Sequence, residues 1–379
     1  MSAERKITSI PERKQVPPND TWNLTALYAD DAAWQSDCDK IEQSVQESSR
    51  FKGTLGQSSA ALAKMLAWLS ETGKIVEKVM QYAFLKHAAD GSDSENQRRR
   101  SLSHQLATRY SAATSFIEPE IMTIDPNTIE SWTKLPDFKE FRVMLSKMLR
   151  FREHILGPDE EKIMALQSEV GGKAQEAFGA LTNVDFDFGH VITPEGKVPL
   201  THSTYAYLLQ HSDRSVRERA FRKYYRTFEH HKNVLTNLYD ASVKQDIFRA
   251  KVRSYPDSRS MFLFPDKVDP TVYDNLVSTV RGSTDQLHRY YEIRRKLLGL
   301  KKLSHYDVYV PLVKGVSVRH RYEEAVELIG EALRPLGPEY VQTLTRGLTE
   351  DRWVDRYENR GKRSGAFSSG IYSGLPYIL

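Results

Sequence analysis

The stretch "ENRGKRSGAFSSGIYSGLPYIL", residues 358–379, decides how the chain is read. It passes from charge and glycine into aromatic and apolar residues, and it stops on Pro376, Tyr377, Ile378 and Leu379, which have the character of a strand about to be buried. Gly361-Lys362-Arg363-Ser364 superficially resembles the end of a phosphate-binding loop. That motif also needs a glycine five residues before the Gly-Lys pair, and Arg356 stands there. The preceding "DRWVDRYEN" is no buried strand feeding such a loop, so nucleotide chemistry is set aside and short strands near 364–379 remain.

Upstream, the apolar spacing is helical almost throughout. Asp269 before Pro270 predicts a helix start, and Val272, Tyr273, Leu276, Val277 and Val280 then form one stripe. Tyr322, Val326, Ile329, Leu333 and Leu336 form another, with Gly337 expected as a left-handed cap and Pro338 beyond it. Trp34, Ile41 and Val45 follow candidate caps at Asp20 and Asp30, and breaks are expected near Gly53, Gly56, Gly73 and Gly91. One β signal interrupts the helices: Val184, Phe186 and Phe188 alternate with Asp185 and Asp187, and the chain turns at Pro194-Glu195-Gly196 and returns through Val198 and Leu200. The expected class is mainly α with a small hairpin near 184–200. Residues 1–20, with Pro11, Pro17 and Pro18, read as an extended arm.

Composition narrows the function classes. A net charge of +4 over 379 residues is too dilute for a nucleic-acid footprint, and Arg98-Arg99-Arg100 reads as the solvated face of a helix. No apolar window is long enough to span a bilayer, and "MSAERKITSIPERKQ" lacks the hydrophobic core of a secretory signal, so the expectation is a cytoplasmic protein with no membrane or nucleic-acid partner. The lone Cys38 has no disulfide partner and no Cys-x-x-Cys context.

Catalytic and metal-binding constellations need particular residue types at particular spacings. A helix presents metal ligands together at i,i+3 or i,i+4, yet no His-x-x-x-His or His-Glu-x-x-His occurs. His288 with Glu292 and His320 with Glu324 each share a face but have no third ligand, and adjacent His230 and His231 diverge by about 100° on a helix. Asp185 and Asp187 read as the wet face of the hairpin, and no Gly-x-Ser-x-Gly elbow exists. The residues alone supply neither a catalytic set nor a metal site.

Four segments nevertheless resemble the oligoendopeptidase F branch of the thimet-type zinc oligopeptidases, in that family's order. They are "WNLTALY" at 22–28, "FRKYYRTFEHHKNVLTNLYDASVKQDIFRAKVRSY" at 221–255, "LHRYYEIRRKLLGLKKLSHYDVYVPLV" at 287–313 and "RWVDRYENRGKRSGAFSSGIYSGLPYIL" at 352–379. The resemblance implies a multi-helical, two-lobed, neurolysin-like oligopeptidase fold, here incomplete, and an endopeptidase that cleaves short peptides with one zinc. It also implies that the chain stops upstream of the family's His-Glu-x-x-His helix, so no zinc ligand and no catalytic residue carries over. The chain by itself is then expected to be inactive, with a missing C-terminal half as its partner.

The resemblance further implies a division into a helical region at 21–115, an oligoendopeptidase F-type helical domain with the hairpin at 116–202, and the first part of a catalytic domain at 203–379. Residues Ser364, Gly365, Ala366, Phe367 and Ser368 resemble the strand bordering the family's cleft, where an edge can pair with an extended peptide. The other reading of this strand is that it only packs against the missing half. In that case Tyr377 to Leu379 would present an unpaired apolar edge. A different class also stays open, a non-enzymatic helical protein that binds peptides or regulates a full-length relative.

Overall fold

The structure, a computed structural model, describes residues 10–313 and 320–379. Residues 1–9 of the expected arm lie outside the described residues. The rest of the arm is not simply extended: it makes two short 3-10 turns, Arg13–Gln15 and Pro18–Asp20, each closed by its own backbone hydrogen bond.

Three long helices build the first core. Helix α1, Asp31–Glu47, starts because the Asp30 carboxylate accepts from the Ala33 amide at 2.8 Å. Helix α2, Ser59–Ala89, is capped by Ser58 and runs through Gly73 without a break. Tertiary packing overrides the glycine there, with Thr72 hydrogen-bonded to Tyr110 of α3, Ser94–Thr114, at 2.6 Å. Trp34, Ile41, Val79, Tyr82, Leu85 and Leu106 fill the space between these helices. Cys38 is buried in the same cluster, and its sulfur has no partner cysteine to meet.

A second cluster forms beside it from Phe51, Leu55, Leu62, Met65 and Leu66 against α4, Ile117–Thr123, α5, Pro126–Thr133, and α6, Arg142–Arg150. Helices α7, Pro158–Gly171, and α8, Lys173–Ala180, follow, and α7 packs on α3. The chain then winds through a π-helical turn, Leu181–Asp185, before the hairpin of β1, His190–Thr193, and β2, Gly196–Pro199. The hairpin is therefore shorter than 184–200. Val184 and Asp185 belong to a helical turn, while Phe186 and Phe188 are core residues, Phe188 stacked 4.6 Å from Tyr224.

Helices α9, His202–Leu208, α10, Arg214–His230, and α11, Lys232–Val252, continue the chain, with the break between the last two at His231. After α12, Ser258–Leu263, come α13, Pro270–Gly282, with the Asp269 cap in place at 2.8 Å, and α14, Thr284–Leu297. Asp307, fully buried, is held by Arg214 at 3.0 Å and Arg217 at 2.9 Å, which ties α10 to the loop that follows α14.

Helix α15, Tyr322–Ala332, ends in a 3-10 turn, and Gly337 precedes α16, Pro338–Leu348. Gly337 is not a left-handed cap: at φ 98° and ψ 160° it takes the mirror-extended conformation open to glycine, and it hands the chain directly to Pro338. The apolar stripe of α13 also departs from expectation, since Val272, Leu276 and Val280 are 58–61% exposed with no described element covering them.

Candidate substrate-binding edge

The chain's last strands, β3, Ser368–Ser369, and β4, Tyr377–Ile378, pair antiparallel, Ser368 opposite Ile378 and Ser369 opposite Tyr377. On its far side β4 makes a parallel bridge to Val354. The Ile378 amide donates to the Trp353 carbonyl at 2.8 Å, and its carbonyl accepts from the Asp355 amide at 2.9 Å and from the Trp22 indole at 2.8 Å. Tyr377 is fully buried beside Trp22 and Tyr28 in the first core, and burial pushes its phenol up to about 12. The expected unpaired apolar edge at Tyr377 to Leu379 is thus absent. Those residues are paired on both sides and packed under the N-terminal helices.

The open edge is the other one. Leu379 donates to the Phe367 carbonyl at 2.9 Å, which makes residues 367 and 379 a hydrogen-bonded pair. In an antiparallel ladder such pairs alternate, so the amide and carbonyl of Ser368 point away from β4. Ser364, Gly365, Ala366 and Ser368 are exposed. Gly365 sits at φ 86° with open space where a Cβ would stand. Phe367 differs from its neighbours: its ring lies 5.2 Å from Phe84 and 6.1 Å from Trp22, so the side chain anchors the strand in the core.

Further contacts fix this edge, and sequence reading missed all of them. Asn183, on the π-helical turn, accepts from the Ser364 amide at 3.0 Å, and Gln81 of α2 exchanges hydrogen bonds with the Ser369 hydroxyl at 3.0 and 3.1 Å. Glu77 of α2 accepts from the Tyr372 amide at 3.1 Å. None of these carries a local signal, because each joins residues far apart in sequence.

Behind the edge lies a buried ionic knot. Asp355 is fully buried and accepts from Arg13 at 2.6 and 2.9 Å and from Lys362 at 2.6 Å. Burial alone would raise the Asp355 pKa, but the hydrogen bonds and charge of Arg13, joined by Lys362, hold it below the ordinary carboxylate value. Lys362 is thereby spent on Asp355 and on the Tyr357 carbonyl, so the phosphate-loop likeness has a structural explanation. Asn359 donates to the Ala89 carbonyl at 3.0 Å, at the C-terminus of α2.

The remaining candidates are drawn into local pairs. Glu292 bonds Arg295, Glu324 bonds Arg321, Arg98 bonds Glu95, Arg99 bonds Asp31, and the Arg100 guanidinium lies over Phe84. Asp187 accepts from the Gly189 amide at 2.7 Å and so shapes the turn into β1. Among the described residues, no group of three His, Cys, Asp or Glu side chains converges, so they do not fit a zinc ion. No helix among them is long and apolar enough to cross a membrane.

Comparison with known proteins adds a lineage. Residues 207–379 match the model of peptidase family M3, and residues 120–188 match the model described as oligopeptidase F. The chain is 38% identical over 367 residues to an oligoendopeptidase F homolog of Borreliella burgdorferi, covering 97% of this chain and 61% of that protein. It is 33% identical to oligopeptidase PepF of Bacillus subtilis, covering 100% of this chain and 57% of that one. The crystal structure of oligoendopeptidase-F from Enterococcus faecium superposes with a TM-score of 0.73 at 28% identity, covering 83% of this chain and 60% of that one. The chain therefore spans about three fifths of the length of these relatives. Matched from its first core to the edge formed by β3, the chain belongs to peptidase family M3, in its oligoendopeptidase F group.

Proposed function

We propose that the chain forms the peptide-receiving part of a zinc-dependent oligoendopeptidase that hydrolyses internal bonds of short peptides. An extended peptide adds as a strand to the open edge of β3, taken by the backbone groups of Ser368. The observation that carries this reading is the free amide and carbonyl of Ser368, on a strand whose other edge is paired with β4. Gly365, with no side chain, leaves room for a second backbone to approach.

The finer parts of the reading belong to the same proposal. Residues 21–115, 116–202 and 203–379 act as three regions, and the matched segments 120–188 and 207–379 fall within the last two. A further polypeptide, supplying the zinc ligands, covers the exposed faces of α13 and α14. Support comes from the apolar residues exposed there, the row Val272, Leu276 and Val280 on one helix and the pair Ile293 and Leu297 on the other. The 379 residues alone bind peptides without hydrolysing them. A single cysteine fits work in the reducing cytoplasm.

The test is Ser368→Pro. Proline removes an amide that the β3–β4 ladder does not use and blocks the edge with its ring. Fluorescence anisotropy with a labelled, unstructured decapeptide should show binding weakened about tenfold or more, the worth of one or two lost strand hydrogen bonds plus steric exclusion. The unfolding free energy should stay within about 0.5 kcal/mol of the parent. Undiminished peptide binding by the proline variant would sink the edge assignment. Separately, chelator-sensitive cleavage of a quenched fluorogenic peptide by the unaided chain would overturn the claim that it does not hydrolyse.

A further inference from the structure

Phe84 of α2 and Phe367, next to β3, lie 5.2 Å apart and form a half-buried aromatic platform beside the open edge. Two guanidiniums converge on it. Arg363 lies 5.7 Å from the Phe84 ring and 5.5 Å from the Phe367 ring, and Arg100 of α3 lies 5.4 Å from Phe84. No other ring among the described residues carries two cations. An aromatic face attracts a cation, but two cations on one ring repel each other.

Nothing in the chain relieves that repulsion. Arg98 is paired with Glu95, Arg99 with Asp31, Arg13 with Asp355 and Arg356 with Asp20. The guanidiniums of Arg100 and Arg363 have no hydrogen-bond or ion-pair partner among the described residues. Glu176, the carboxylate whose charge reaches Arg100, is bonded to Lys173 at 2.7 Å, so that pair is neutral. Guanidiniums stay protonated throughout the working pH range, so the site is cationic whatever its neighbours do.

The pair is also held in place. The Arg363 amide donates to the Ala88 carbonyl at 2.8 Å, and the next amide, Ser364, donates to Asn183 at 3.0 Å. Arg100 is half-buried on its helix, whereas Arg363 is exposed, so a ligand arrives from the Arg363 side. A metal cation is repelled there. A carboxylate suits the arrangement, because its two oxygens accept from guanidinium forks on both sides. Arg363 stands five residues before Ser368, at most about 17 Å of chain, so one extended decapeptide reaches both.

We propose that Arg100 and Arg363 form a carboxylate-binding subsite at the start of the peptide edge, which makes acidic peptides the preferred class of substrate. The inference rests on the β3 edge as the seat of the peptide. Two sources share the chemistry, an acidic side chain and the C-terminal carboxylate of the peptide.

The experiment titrates the full chain at low salt by calorimetry with unstructured decapeptides of one neutral sequence, acetylated and amidated at their ends. Two versions carry glutamate at position 2 or position 9, one has a free C-terminal carboxylate, and controls carry lysine in place of glutamate. At least one carboxylate peptide should bind about tenfold or more tighter than the neutral one, and the lysine peptides no tighter. The version that binds best identifies the source of the carboxylate. Arg363→Gln, a change at an exposed side chain, should bring the ratio of carboxylate to neutral affinity close to one, and Arg100→Gln should do the same. Ser368→Pro should weaken every peptide, the neutral one included. A proline variant that binds all peptides as the parent does sinks the edge, on which this inference rests. The arginine subsite alone is overturned if no carboxylate peptide outbinds the neutral one, or if Arg363→Gln keeps the parent's ratio.

Discussion

Replacing Asp355 with alanine is expected to destabilise the chain by about 3–5 kcal/mol, because it removes one partner of a buried ionic cluster and leaves the others uncompensated. Lys362 is only 7% exposed and would keep its charge with no counter-ion, and Arg13 would lose its anchor as well. The damage should also spread. The Asp355 carboxylate also accepts from the Trp22 amide, so one side chain links the arm to the first core, while its backbone amide, which alanine keeps, holds β4. Urea unfolding followed by tryptophan fluorescence reads this directly, since Trp22 and Trp34 sit in that core.

Two companion measurements separate charge loss from simple truncation. Asp355→Leu combined with Lys362→Met should recover much of the stability, since a matched apolar pair leaves no charge stranded. The pH dependence has a fixed sign. Asp355 has a folded pKa below its unfolded value, so its contribution is complete above about pH 4 and is lost as pH falls through the folded value. The gap between parent and Asp355→Ala should therefore narrow on acidification below pH 4. A loss under about 1 kcal/mol at neutral pH would mean that the knot is not structural.

Tyr377→Ala should cost a comparable amount, about 3–5 kcal/mol, the range for deleting a fully buried aromatic side chain. The ring packs edge-on to Trp22 at 6.3 Å and fills the floor of the first core. Tyr377→Phe is the control: it deletes only the hydroxyl, which donates to the Asn23 carbonyl at 3.2 Å, and should cost about 1 kcal/mol. If alanine and phenylalanine behave alike, the residue is an exposed edge after all, and the packing of β4 against α1 and α2 is wrong.

Local chemistry was legible in the sequence. The Asp30 and Asp269 caps, the proline start of α13 and the turn at Glu195-Gly196 each rest on residues a few positions apart, and the structure has them in place. The errors share one cause, which is tertiary context. Gly73 by itself favours a break, but α2 is held from outside by α1 and α3. Val184, Phe186 and Phe188 alternate like a strand, yet a π-helical turn followed by extended chain places the two phenylalanines on Tyr224 and Phe228 equally well. The stripe of α13 is an amphipathic pattern that the helix keeps, and it is silent about what covers it. The candidate edge was legible as a segment through family resemblance. Its direction was not, because that depends on the pairing of Phe367 with Leu379.

The knot between the arm and the last strands has a consequence in time. Trp22, Leu27, Tyr82 and Tyr377 share one core, although the last of these is synthesised roughly 250 residues after the end of α3. At about 5–20 residues per second, α1 to α3 stand for tens of seconds with the floor of their core open on a ribosome. Closing so long a loop adds little to the equilibrium balance, since the entropy grows only logarithmically with length, but it slows the final step. The first-made helices are thus the last to be finished, and it is during that wait that this chain is most in need of a chaperone.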